Sequence, residues 1–361
     1  MSTEPASRTE AAPDDAALRA EGLEKYYTVN QGMLSSLLGR DERHVHAVDG
    51  VSLSVDGTRT LGLVGESGCG KSTLGRTLVR LEEPTAGKIW FQGEEISGRS
   101  ERDLRSYRSD IQFIHQDPSS SLNPRKRVKQ ILSRPLEIHT DLDEAGRDER
   151  VAELLDRVGL DPNQRHRYPH EFSGGQRQRI EIARALSVNP SVVVADEPTS
   201  ALDVTVQAQI LQLLEELQTE FDLSMVFISH DLRTVRYIAD TVSVMYLGQL
   251  VETGATDEVF ESPRHPYTQS LLSSAPSVSG AGGESITLEG EPPDPVDPPS
   301  GCRFHPRCPV AEAGCETHVP AEYAVSPSHT HRCHFEDADV FDADASSPTP
   351  VAPLGDGTEG A

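Results

Sequence analysis

The sequence predicts an α/β domain built on a largely parallel sheet, and three observations carry that prediction. Short apolar runs alternate with stretches of helical periodicity, the pattern of strands joined by crossover helices. Thr60–Val64 reads as a strand running into a glycine-rich loop, with Ser72–Leu81 as the helix that leaves it. Val192–Ala195 and Met225–Ile228 are continuous apolar runs between polar turns, as strands covered on both faces require.

Taken in order, the elements divide the chain. Residues 1–19 and 336–361 are rich in Ala, Ser, Pro, Asp and Glu with little apolar periodicity, so both read as disordered tails. The α/β domain is expected over 20–270. Within it Val206–Leu217 carries apolar residues at helical spacing. After about Gly254 the pattern loosens, and Pro276–Ser300, rich in Pro, Gly and Ser, reads as a linker. A small module with a dense Cys/His group is expected within 271–335. No internal repeat is visible, which predicts one such domain and not a tandem pair.

At 361 residues the chain has room for one large domain and an appended smaller one. No run approaches the ~18 to 20 apolar residues of a membrane-spanning helix. Met1–Ala20 is polar and acidic, unlike a secretory signal. A cytoplasmic protein is expected, with any membrane role exerted through partners. The formal charge is −25, from 58 acidic against 33 basic residues. Only Lys25, Lys71, Lys88, Lys126 and Lys129 are lysines. Such a surface repels nucleic acid and anionic lipid, which speaks against a DNA- or RNA-directed role. It also suits a high-salt cytoplasm, where the Debye length falls to about 3 Å at 1 M and self-repulsion is screened. A halophilic source is therefore expected.

Gly65-Glu66-Ser67-Gly68-Cys69-Gly70-Lys71-Ser72-Thr73 fits G-x-x-x-x-G-K-[ST], after a strand and opening a helix, where that motif must lie. Its glycines let successive N–H groups turn toward phosphates, and the helix N-terminus adds partial positive charge. Lys71 is expected to reach the β- and γ-phosphates of ATP, and the Ser72 hydroxyl to bind Mg²⁺. The same pattern also occurs as a glycine-rich turn with a surface lysine. Support comes from Val192–Glu197, an apolar strand ending in two carboxylates. There Asp196 is expected in the Mg²⁺ shell and Glu197 as general base for the attacking water.

Between these elements stands Phe172-Ser173-Gly174-Gly175-Gln176-Arg177-Gln178-Arg179. It resembles the LSGGQ signature of ABC-type ATPases, with Phe in place of the usual Leu. Gln116, in Phe113-Ile114-His115-Gln116-Asp117-Pro118, is similar to the Q-loop. Ser200-Ala201-Leu202-Asp203 resembles the D-loop, and His230 the switch histidine. Tyr27 resembles the aromatic that stacks on adenine, with Tyr26 as the alternative. Singly each has a bland explanation: a capping histidine, a core tyrosine, a polar loop. Together, in the family's order, they identify residues 19–270 as similar to an ABC ATPase.

The resemblance implies a P-loop fold with an N-terminal antiparallel β subdomain and a helical subdomain over 117–172. It implies two ATPase subunits closing head-to-tail on two ATP molecules. Ser173, Gly174, Gly175, Gln176 and Asp203 would then serve the nucleotide held by the partner subunit. Gln116, at a hinge, would sense the γ-phosphate or Mg²⁺. Glu197-Pro198-Thr199-Ser200-Ala201-Leu202-Asp203-Val204-Thr205-Val206-Gln207-Ala208-Gln209 and Arg264-His265-Pro266-Tyr267-Thr268-Gln269-Ser270-Leu271-Leu272 look like the oligopeptide/dipeptide importers. Leu74–Leu81 resembles the F-type subunit there. The implied assembly holds a second, related ATPase (a heterodimer), two transmembrane permeases and an extracellular solute-binding protein, with this chain peripheral at the cytoplasmic face. Peptide is the implied cargo; nickel or oligosaccharide importers are the neighbouring alternative, and a soluble, non-transport ABC ATPase the rival of another class.

Cys69 reads as a filler within the phosphate loop. Cys302, Cys308, Cys315 and Cys333 form C-x₅-C-x₆-C-x₁₇-C. A cytosolic setting disfavours disulfides, and four thiolates invite Zn²⁺ or an iron–sulfur cluster. The spacings are wider than zinc-knuckle pairs, and the resemblance tilts the expectation toward [4Fe–4S]. His305, His318, His329, His331 and His334 are expected as surface groups or as groups flanking such a site.

Overall fold

A computed structural model describes residues 16–29, 43–274 and 290–335. The tail assignments at 1–15 and 336–361, and the linker assignment at 276–289, lie outside them. The described strands are β1 (Ala16–Thr28), β2 (His44–Asp56), β3 (Thr60–Val64), β4 (Ala86–Phe91), β5 (Glu94–Glu95) and β6 (Ile111–Ile114). After them come β7 (Val192–Asp196), β8 (Ser224–Ser229), β9 (Thr241–Tyr246), β10 (Gln249–Ala255), β11 (Tyr323–Ser326) and β12 (His329–His331).

They form two sheets. The smaller, in the order β2-β1-β4-β5, is antiparallel. The larger runs β11-β12-β10-β9-β3-β8-β7-β6, and its centre, β9 through β6, is parallel. Every residue of β3, β7 and β8 is buried, which is why those runs read as unbroken apolar stretches and not as alternating ones. Parallel pairing brings the C-terminal ends of β3, β7 and β8 side by side, the edge where α/β sheets gather ligand-binding loops.

Between β6 and β7 the helices Val128–His139, Glu144–Arg157 and Gly174–Leu186 pack together through Leu132, Leu136, Val151, Leu155 and Ile182. Asp143 starts the second of them by accepting from the Gly146 N–H at 2.8 Å, a side-chain cap for an otherwise orphaned donor.

Two expected bounds need correction. β1 starts at Ala16, inside the stretch read as a tail, because Leu18 is fully buried and pairs with Val55 and Phe91. The helix after the loop ends at Leu78 and not Leu81. Arg80 turns left-handed, with φ 55°, and the Leu81 N–H closes back on the Arg76 carbonyl at 2.9 Å, a helix stop of the Schellman kind. The C-terminal segment is joined to the main sheet. β12 pairs antiparallel with β10, Glu252 opposite His331, so the hairpin β11–β12 completes the edge of the main sheet.

Candidate functional site

The loop between β3 and the helix Lys71–Leu78 wraps on itself. Lys71 is 5% exposed, and its Nζ donates to the carbonyls of Gly65 at 2.7 Å and Glu66 at 2.8 Å. Two glycines are obligatory. A Cβ on Gly65 would stand 2.1 Å from the Met245 carbonyl oxygen, and one on Gly70 2.0 Å from that of Ala47. Gly70 also holds φ 110°, a conformation that L side chains rarely adopt. Cys69 is buried against Lys71 at 3.8 Å, and burial pushes its thiol up. It is a packing group in the loop.

The next ring of groups comes from β7, β8 and the turn after β6. Ser72 Oγ donates to Asp196 Oδ1 at 2.8 Å. The Asp196 side chain is buried, and desolvation raises its carboxyl, against the pull of the Ser72 bond and the Arg76 charge. Its Oδ2 has no hydrogen-bond partner among the described residues. Arg76 comes no nearer to it than 3.9 Å. A hydroxyl and a buried carboxylate with one acceptor oxygen unspent are a donor set that fits Mg²⁺ and its waters, and the glycine-lined loop fits phosphate oxygens.

Glu197 follows directly, with φ 46°. That left-handed conformation costs a residue with a Cβ on the order of 1–3 kcal/mol. It is held by a bond from the Glu197 N–H to the Ile228 carbonyl at 3.0 Å. The turn aims the carboxylate at two neighbours: Gln116 Nε2 donates to Oε2 at 2.8 Å, and His230 Nδ1 lies 3.1 Å from Oε1. Ser67–Thr73, Gln116, Glu197, His230 and Tyr27 all face one cavity of about 580 Å³. Tyr27 is half-exposed there, its hydroxyl bonded to Glu82. Tyr26, the alternative, is turned away: its ring lies 4.4 Å from His46 and its hydroxyl bonds Asp49. His46, Leu247 and Pro295 also line the cavity. Sequence reasoning missed them, since they are ordinary residues brought there by backbone bonds from β2, His46 N–H to the Pro295 carbonyl and Asp49 N–H to the Gly248 carbonyl.

Ser173, Gly174, Gly175, Gln176 and Asp203 are not among the residues lining this cavity. They sit together elsewhere, at two helix starts. Ser173 and Gln176 cap each other at the N-terminus of Gly174–Leu186, a reciprocal capping box. Asp203 Oδ1 accepts from the N–H groups of Thr205 and Val206 at the start of the helix Val204–Phe221. The two starts touch so closely that a Cβ on Gly175 would lie 2.4 Å from Val206 Cγ1. Both helices therefore present free N–H groups and positive dipole ends in one place.

The expectation of a metal or cluster at the cysteines finds no support among the described residues. Cys302, Cys315 and Cys333 gather with Phe335 and Val310 in a small core, and Cys308 lies near them. Among the described residues, however, no three His, Cys, Asp or Glu side chains are placed to share a metal ion. Burial raises the thiol of Cys302 and pushes those of Cys308 and Cys333 up to about 12. Neither [4Fe–4S] nor Zn²⁺ is supported. Two histidines also differ from expectation: His329 and His331 are buried, and His329 Nε2 meets Glu252 Oε1 at 2.7 Å.

Contacts from the C-terminal region to the loop were also missed. Tyr267 hydroxyl accepts from the Glu66 N–H, and Arg307 forms a two-point ion pair with the Glu66 carboxylate. The signal was present in two conspicuous stretches, Arg264–Leu272 and Gly301–Cys308, but neither betrays from its own pattern which distant loop it touches.

Residues 48–200 match the family described as ABC transporter, and residues 251–315 match the oligopeptide/dipeptide transporter C-terminal region. The chain is 51% identical over 329 residues to the oligopeptide transport ATP-binding protein AppF of Bacillus subtilis (strain 168), covering 90% of this chain and 99% of that protein. It is 50% identical over 303 residues to the dipeptide transport ATP-binding protein DppF of Escherichia coli (strain K12), covering 84% and 89%. Among solved structures it resembles a dimeric ATP-binding cassette, MJ0796, in a post-hydrolysis state with ADP and Pi. That likeness has a TM-score of 0.59 and 26% identity, over 66% of this chain and 98% of the other.

Proposed function

The chain belongs to the ABC transporter family as an ATP-hydrolysing subunit, and on that footing we propose that it energises uptake of short peptides through partner permeases. The observation that carries the reading is the convergence of Lys71, Ser72, Gln116, Glu197 and His230 on one cavity, in a chain whose C-terminal region matches the peptide transporters. Gly65–Thr73 binds the phosphates of ATP, Tyr27 packs on the adenine, and Ser72 and Asp196 hold Mg²⁺, with Gln116 near its shell. The metal supplies charge neutralisation on the phosphates.

The chain's own groups do the rest. Glu197 Oε1 and Oε2, already oriented by His230 and Gln116, accept a proton from water poised at the γ-phosphate. Lys71 moves from loop carbonyls to phosphate oxygens. Ser173–Gln176 and Asp203 stand outside this cavity, which supports a half-site arrangement in which they close over ATP held by a second, different ATPase subunit. Loss of the γ-phosphate contacts then lets the pair reopen. The likeness of its C-terminal region to the oligopeptide/dipeptide transporters supports placing the chain at the cytoplasmic face, bound to two permeases that receive peptide from an extracellular binding protein; among the described residues no helix is long and apolar enough to cross a membrane.

The test is reconstitution of the assembly in vesicles with peptide-loaded binding protein. ATP-dependent peptide accumulation that disappears with Lys71→Ala is expected. Hydrolysis without any dependence on peptide-loaded binding protein would overturn the peptide assignment.

A further inference from the structure

Every polar group of Glu66 is held by another side chain. Its N–H donates to the Tyr267 hydroxyl at 2.8 Å, and its carbonyl accepts from Lys71 Nζ at 2.8 Å. Its carboxylate takes two bonds from the Arg307 guanidinium, Nη1 to Oε2 at 2.7 Å and Nη2 to Oε1 at 3.0 Å. Only Lys71 belongs to the phosphate loop. Tyr267 stands on the helix Pro266–Ser274 and Arg307 in the cysteine-bearing segment, 241 residues from Glu66.

The anchors themselves are rigid. Tyr246, Tyr267 and Phe304 are each at most 1% exposed. Their rings pack with centroids 4.7, 5.3 and 5.4 Å apart, tying β9, the helix Pro266–Ser274 and the C-terminal segment into one block. The Arg307 side chain is 5% exposed, so its planar fork meets the carboxylate largely out of water, where such pairs are strong and directional.

We propose that Arg307 and Tyr267 are positioning residues for ATP use, acting through Glu66 on Lys71. The Glu66 carbonyl is one of the two carbonyl acceptors that hold the Lys71 ammonium in place. The Glu66 N–H shares its peptide with the Gly65 carbonyl, the other acceptor of Lys71, so Tyr267 resists rotation of that peptide, while Arg307 holds the Glu66 side chain from which the next peptide, carrying the Glu66 carbonyl, continues. The C-terminal region is thus a brace that presets the loop before nucleotide arrives, and preorganisation of this kind appears as affinity. The inference rests on the assignment of Gly65–Thr73 as the ATP loop.

The experiment measures steady-state ATP hydrolysis by the assembled transporter, with thermal unfolding alongside. Arg307→Ala is expected to raise KM for ATP about tenfold and to change kcat less than about threefold, the split expected when binding geometry is lost. Arg307→Lys should recover part of that loss, since one point of the fork survives. Tyr267→Phe keeps the ring packing and should raise KM about threefold. Glu66→Gln should match Arg307→Ala, and the double variant should be no worse than either single change. If KM stays at the unmodified value in Arg307→Ala and Tyr267→Phe while the unfolding temperature falls, the residues are structural only and the proposal is overturned. Additive effects in the double variant overturn it as well. If Arg307→Ala fails to fold, Arg307→Lys and Tyr267→Phe decide. Lys71→Ala separates the two layers: retained turnover there sinks the ATP-loop assignment itself, whereas lost turnover with an unmoved KM in the other variants sinks only the brace.

Discussion

Gln116 and Glu197, 81 residues apart in sequence, are joined side chain to side chain at 2.8 Å. The turn after β6 and the end of β7 are thereby linked across the mouth of the cavity, and His230 holds the other carboxylate oxygen at 3.1 Å. A carboxylate oriented from both sides is suited to receive one proton in a fixed direction.

Glu197→Gln should therefore keep ATP affinity within about twofold and lower turnover by about 10²- to 10⁴-fold, the usual worth of a positioned general base. The variant keeps the shape and loses the basicity. Nucleotide titration beside single-turnover hydrolysis separates the two effects, and near-normal turnover would remove Glu197 from the role.

Gly175→Ala tests the packed helix starts. The added Cβ falls 2.4 Å from Val206 Cγ1, so the Gly174–Leu186 helix must shift at the end that carries Ser173. Turnover of the assembled transporter should fall about tenfold while ATP binding to the isolated chain is retained. Val206→Ala in the same chain removes the clashing methyls and should restore most of the loss. A Gly175→Ala chain with full turnover would show that this junction does not touch nucleotide.

His265 gives a pH prediction. It is fully buried, and its Nδ1 accepts from the Tyr267 N–H at 3.1 Å at the start of the helix Pro266–Ser274, so that nitrogen must carry a lone pair. Burial lowers its value from 6.5 to about 4, with His331 adding to the shift and Glu252 opposing it. Below pH 6.5 the unfolded chain binds a proton that the folded chain refuses until about pH 4. Stability therefore falls as pH drops through that window, by up to roughly 3 kcal/mol. Glu252 acts in the same direction at lower pH. Burial alone would raise it, but the bonds from His329, Thr268 and the N–H groups of Arg264 and His265 hold its carboxyl below the usual range. Denaturant midpoints at pH 7 and pH 5 measure the loss. His265→Asn keeps an acceptor for the cap and removes the titration, so most of the slope between those values should vanish.

The parts of this protein that were legible in its sequence are those whose chemistry is local. β3, its loop and the following helix announce themselves through contiguous residues, and so does β7 with its two terminal carboxylates. Gly65 and Gly70 could be read because a phosphate loop demands glycine by position; their near-collisions with Met245 and Ala47 are the tertiary form of the same demand. What stayed hidden depends on pairing across distance. Pro295 reaches the cavity through a bond from the His46 N–H, and no periodicity encodes that. Four cysteines close in sequence suggest a shared ion, but among the described residues no group of His, Cys, Asp or Glu is placed to hold one, and Cys302, Cys315 and Cys333 pack with Val310 and Phe335. Tyr26 and Tyr27 could be told apart only once β1 had a register against β2.

The link between Arg307 and Glu66 also sets an order of events during synthesis. When the ribosome has added Glu66, 241 residues must still follow before its far strut exists. Such a long closure is entropically costly and comes late. A nascent or prematurely terminated chain therefore carries every loop residue yet lacks the contact that fixes Glu66 from behind. On the brace reading, such a chain holds nucleotide less tightly until Arg307 has been added.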